Sequence, residues 1–149
     1  KAFGCLARIF GAKETGIISS LVGKLGDVNL NVAIEATLAL TKFASPDNHI
    51  CVEHSKTIIE FNGVPLLMKL LSVSERAKRE GLVLLCYLSM NVGYSTPLVE
   101  AQALRTLESA LRPAMGQNVE FREIVSKAMN NLLLYQEGAH SYNHGFAMV

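Results

Sequence analysis

The chain has 149 residues, half of them apolar, no tryptophan and a formal net charge of +1. That length suffices for one domain with a real core, and no apolar run approaches the roughly 18 residues that would span a bilayer, so a soluble chain is expected. The near-neutral charge supplies no global field to attract nucleic acid or an anionic membrane; no nucleic-acid partner is expected, and membrane association is at most peripheral.

The elements read as helices throughout. Ala2, Leu6 and Ile9 are spaced by four and three, one face of a helix, so residues 1–11 are expected to be the end of a helix whose repeat begins upstream. A short helix is expected over 15–25, closed by Gly26. Asp27-Val28-Asn29 is a turn, and Asn29 caps a long helix over 30–44. Pro46 breaks it, because proline disfavours helix at the residue before it. Residues 49–61 form the next helix. Pro65 falls in the first turn of the one after, where its missing N–H costs nothing. Ser74 and Glu75 open a helix over 75–91. Gly93–Pro97 is a loop, 98–112 is expected to be a single helix, and 113–118 is a second loop. The last helix runs from about 119 to 136 and is expected to stop at Gly138, leaving 138–149 as a mobile tail.

Two patterns recur along this series. The ten-residue block GIISSLVGKL starts at Gly16, NGVPLLMKLL at Asn62 and QALRTLESAL at Gln102, at spacings of 46 and 40 residues. Each is followed by a stripe with steps of four and three: Ala36, Leu40, Phe43; then Gly81, Leu85, Leu88; then Val125, Met129, Leu132. Two patterns in register, repeated three times, point to stacked helical units of about 40 residues. The stretch joining Phe43 to Asn62 is long, which places an insertion around 45–57.

These blocks resemble the armadillo-repeat family. The stretch CLARIFGAKETGIISSLV, with ATLALTKFAS, HSKTIIE, LVLLCYLSM and LLLYQ after it, is similar to the C-terminal part of the plant armadillo-repeat-only proteins, over residues 1 to about 136. The resemblance implies an all-α fold: a right-handed α-solenoid of about three and a half armadillo repeats, with the end of one repeat at 1–11 and further repeats at about 12–44, 45–91 and 92–137. It implies a non-catalytic scaffold or adaptor that binds other proteins, with Rho-type GTPases of polarised growth or their regulators as candidate partners. In such a stack the long helices line a groove. The buried stripe then places Arg8, Lys42, Tyr87 and Asn131 in one groove row, Leu38, Val83 and Lys127 beside it, and Glu35 and Glu80 one turn earlier. Importin-like relatives carry Trp and Asn in these rows. Only Asn131 matches, so a nuclear-signal carrier is disfavoured, and a spacer that positions other domains is the remaining alternative.

Other constellations are weaker. Cys5, Cys51 and Cys86 are odd in number and form no CxxC, which argues against a disulfide framework and for a reducing compartment: cytoplasmic, with the nucleus or the inner face of the plasma membrane as further locations. His49, Cys51 and His54 lie close in sequence, but His49 and His54 are five apart and lack a fourth ligand, so no metal is expected. His140 and His144 fall in the expected tail. Cys86 sits within a buried pattern and is expected to be inert. No phosphate-binding glycine loop and no nucleophile elbow occurs, so neither an enzyme nor a cofactor is expected. Lys69, Arg76, Lys78 and Arg79 form a small basic cluster read as a solvated turn, and Phe10 and Phe61 are expected in the core. Phe3, Leu6 and Ile9, uncovered by a preceding repeat, would favour artefactual self-association.

Overall fold

A computed structural model of the chain describes residues 16–92, 95–112 and 118–147, with side chains through Leu134. All regular structure among these residues is helical. Helix α1 occupies 16–24. It is followed by α2 (Leu30–Ala44), α3 (Cys51–Glu60), α4 (Gly63–Leu71), α5 (Glu75–Val92), α6 (Thr96–Glu100), α7 (Ala103–Ala110) and α8 (Val119–Ala147). No described helix is long and apolar enough to cross a membrane.

Each long helix starts at a polar cap. Asn29 accepts from the backbone N–H of Asn31, and Asp27 in turn accepts from that of Asn29. Ser74 accepts from Ala77 at 3.1 Å, and Asn118 accepts from Phe121 at 3.2 Å. Such a side-chain oxygen satisfies one of the four N–H groups that every helix start leaves without an internal partner.

The three long helices pack in series. Helix α5 lies against α2 on one side and α8 on the other, while α4 and α7 pack on α5 and α8 respectively. The three apolar stripes meet here. Ala36, Leu40, Leu85, Leu88, Val125 and Leu132 are buried, and Phe43 and Met129 are partly so. Gly81 sits where α4 crosses α5. A methyl group there would come within 2.5 Å of a Leu71 terminal carbon, so the Leu71 side chain packs into the space that the missing Cβ leaves.

Short and long helices are joined in a repeated way. Asn62 has φ 63°, Gln102 has φ 57°, and each immediately precedes a short helix, α4 and α7. They are the described non-glycine residues in the left-handed region, and they are the residues that open the second and third sequence blocks. The left-handed residue turns the chain between α3 and α4, and again between α6 and α7.

Four expectations are corrected. The single helix over 98–112 is two helices, because Gln102 leaves the right-handed region between them. Ser95 caps the first of these, which therefore starts two residues early. The last helix does not stop at Gly138 but continues to Ala147; glycine costs a helix interior only about 1 kcal/mol relative to alanine, and no proline follows to end it. Phe61 is not a core residue: it caps α3 at the turn into Asn62 and is 42% exposed. Residues 1–11, with Arg8, Phe10, Cys5 and the apolar end proposed for self-association, lie outside the described residues, as do the side chains of His140 and His144.

The turn at Asn62 also constrains Gly63. A Cβ on Gly63 would lie 2.7 Å from the Ile58 carbonyl oxygen and 2.7 Å from an Ile58 methyl. The backbone atom cannot swing aside as a side chain can. Gly63→Ala is therefore expected to destabilise the fold by about 1–3 kcal/mol, despite alanine's higher helix propensity. A urea melt with an unchanged midpoint would contradict this contact.

Candidate functional site

Five of the residues read as groove positions line two separate clefts. Glu35, Leu38 and Lys42 line a hollow of about 630 Å³ on α2, completed by Ala39, Thr41, Phe43 and Asn48. Glu80 and Val83 line a cleft of about 530 Å³ between the N-terminal halves of α5 and α8. Its other walls are Glu75 and Arg79 on α5, and Asn118, Glu120, Phe121 and Ile124 at the start of α8. Tyr87 is half-buried and Lys127 is exposed; neither lines these two clefts.

Glu35 and Glu80 occupy matching places on successive long helices, as do Leu38 and Val83. That much follows from the stripe. Phe121 and Ile124 were not singled out in the sequence, because a repeat pattern fixes which face a residue occupies but not where two helices diverge at their ends. The available signal was the pair itself, aromatic and aliphatic, three apart and one turn after a cap.

Asn131 has a different role from the one its row implied. Its side-chain amide donates to the carbonyl oxygens of Ser89 at 2.7 Å and Met90 at 3.2 Å. Both donor hydrogens are spent inside the fold, so this residue cannot clamp a partner's backbone through its N–H groups. Asn91 repeats the arrangement one helix earlier, donating to the Ala44 carbonyl at 2.7 Å and to the Ser55 hydroxyl at 2.8 Å. The carbonyl acceptors, Ala44 for Asn91 and Ser89 and Met90 for Asn131, belong to the last turn of the preceding long helix, whose carbonyls have no partner within that helix.

The inserted segment is structural as well. His54 is buried, its Nδ1 lies 3.2 Å from the Phe43 carbonyl oxygen, and its ring meets the Phe43 ring edge-on at 5.0 Å. The same Nδ1 lies 3.4 Å from the Asn48 side-chain nitrogen; a bond to the carbonyl needs the Nδ1–H form, and one from the Asn48 amide needs the other. Cys51 is half-buried, and its Sγ lies 3.7 Å from Asn91 Oδ1. Among the described residues no group of three or more His, Cys, Asp and Glu is placed to hold a metal.

Cys86 is fully buried on α5, and burial pushes its thiol up to about 12. The thiolate is the reactive form, so this group is unreactive at neutral pH. The described ion pair, Lys56 with Glu53 at 4.0 Å, is exposed on α3 and contributes little.

No protein-family model matches the chain, and no curated protein matches it. Among solved structures, the crystal structure of an engineered protein from the Northeast Structural Genomics Consortium is similar, with a TM-score of 0.60 and 25% identity, over 77% of this chain and 44% of that one. The chain thus spans less than half the length of this neighbour. The likeness agrees with an all-helical fold.

Two outcomes follow from these placements. Asn131→Ala should lower stability by about 1–3 kcal/mol, since it strips two part-buried carbonyls of their donors; a urea melt that does not move would return Asn131 to the surface. The raised Cys86 thiol stays protonated in the folded chain where the unfolded thiol ionises, from about 9 upward. Stability should therefore fall as pH rises above about 9, by at most about 1.4 kcal/mol per unit from this group. Cys86→Ala should flatten that slope between pH 9 and 10.5, measured by denaturant midpoints; an identical slope in both proteins would count against the burial.

Proposed function

We propose that this chain is a non-catalytic protein-binding scaffold: a right-handed α-solenoid of armadillo type, whose long helices present a surface to a partner segment. The observation that carries the reading is the serial packing of α2, α5 and α8 with a repeated left-handed turn at Asn62 and Gln102. Chains built this way bury one helix against the next and leave an extended face for binding. The two clefts, one on α2 and one between α5 and α8, each mix apolar side chains with charged ones, which suits a peptide more than a small molecule. Cys86, the buried nucleophile of the described residues, is chemically silent.

Rho-type GTPases and their regulators enter as candidate partners through the sequence resemblance alone, and so does a site of action in the cytoplasm, in the nucleus or beneath the plasma membrane. A carrier of nuclear signals is disfavoured further, because the chain has no tryptophan and Asn131 is engaged internally. A spacer that only positions neighbouring domains remains the competing account.

The test is a paired capture from plant cell extract, read by mass spectrometry. One bait is the chain itself; the other carries Lys42→Glu and Tyr87→Ala, with circular dichroism confirming equal helicity. A set of proteins lost only from the variant supports the scaffold, and a purified Rho-type GTPase within that set should bind the parent chain at least about tenfold more tightly, about 1.4 kcal/mol. Identical recoveries from both baits would favour the spacer.

A further inference from the structure

The α5–α8 cleft has an uneven chemistry. Val83, Phe121 and Ile124 are half-buried and form an apolar floor, and the rim carries Glu75, Glu80 and Glu120 against one guanidinium, that of Arg79. None of these four charged side chains makes an ion pair or a side-chain hydrogen bond among the described residues. Two of the carboxylates have a local reason for their place. Glu75 and Glu120 lie in the first turns of α5 and α8, where a negative charge is favoured by the helix dipole. Glu80 has no such reason. It sits further along α5, half-buried in the same cleft as Val83, with no ion-pair partner among the described residues.

We infer that this cleft binds a cationic peptide segment that also carries an aliphatic side chain, the lysine or arginine facing Glu80 and Glu120 and the aliphatic group covering Val83, Phe121 and Ile124. The inference rests on the scaffold reading and names the partner chemistry of one of its two clefts. The volume, about 530 Å³, falls in the range of sites that take several groups of a ligand at once. The apolar floor separates a peptide from a simple polyamine, which supplies charge but nothing to cover Phe121. The excess of carboxylates excludes an acidic segment, since like charges brought together at a rim oppose association. Arg79 limits the number of cations the cleft accepts and makes the register of charge along the segment matter.

The probe is a fluorescein-labelled dodecapeptide of leucine and lysine separated by serines, titrated with the whole chain and read by anisotropy. Two control peptides replace every lysine with glutamine or with glutamate, and spermine serves as competitor. The lysine peptide should bind, should weaken with added salt, and should lose about tenfold in affinity to Glu80→Gln with Glu120→Gln, roughly half of that from each lost charge pair. Phe121→Ser, checked for helicity, should weaken it as well; if that variant unfolds, Ile124→Thr takes its place. Equal binding of the glutamine peptide, unchanged affinity in the double variant, full displacement by spermine or no binding at all would each overturn the inference. Those failures differ from failure of the scaffold reading: proteins captured through Lys42 and Tyr87 without any lysine-peptide binding would leave the scaffold standing and remove this cleft's role.

Discussion

The carbonyls at the end of α2 and α5 have no acceptor role left inside their own helices, and the side chains of the next unit complete them. Asn91 reaches Ala44, His54 reaches Phe43, and Asn131 reaches Ser89 and Met90. Two helices can slide along one another while keeping apolar contact, since burial is not directional. A donor aimed at a specific carbonyl cannot be moved by a turn without leaving that carbonyl bare. These bonds therefore fix the axial register of α5 on α2 and of α8 on α5. The apolar stripe supplies the attraction that the register then organises. Hydroxyls within the core are settled locally: Thr37 and Ser89 each donate to the carbonyl four residues earlier, and no described buried side-chain polar atom is left without a partner.

That division explains which parts of the fold could be read in the sequence. The helix over 30–44 and the start at residue 75 were visible because a capping residue and an apolar period agree there. Asn62 falls at the expected break after the helix over 49–61, and asparagine is one of the few residues that tolerates a left-handed backbone. Gln102 was not, because glutamine carries no such preference and belongs in the middle of a helical pattern; only its place in a repeated block marked it. Gly138 misled for the opposite reason. A glycine near an expected end resembles a stop, yet nothing after it offers the chain an alternative.

The candidate site was legible in part. Counting from the buried stripe puts Glu35, Leu38, Lys42, Glu80 and Val83 on the outward faces of α2 and α5, where they line hollows; helical geometry fixes the face and not what binds there. Asn131 was counted correctly and understood wrongly, since its row does not reveal that the preceding helix ends within reach of its amide. Phe121, Ile124 and Glu120 depend on how far α8 splays from α5 at its start. That distance is set by long-range packing and not by any local pattern.

Helix α5 is shared property. It is the element against which both α2 and α8 are packed, and its interior includes the fully buried Leu82, Leu84, Leu85 and Leu88. Opening α5 means releasing both neighbours, so the middle helix cannot leave while α2 and α8 stay packed. The outer helices are not bound by the same condition: α2 and α8 share no comparable contact with each other, and each can loosen from α5 at its own cost. Local opening is therefore expected to begin at the two ends of the series and to reach α5 last.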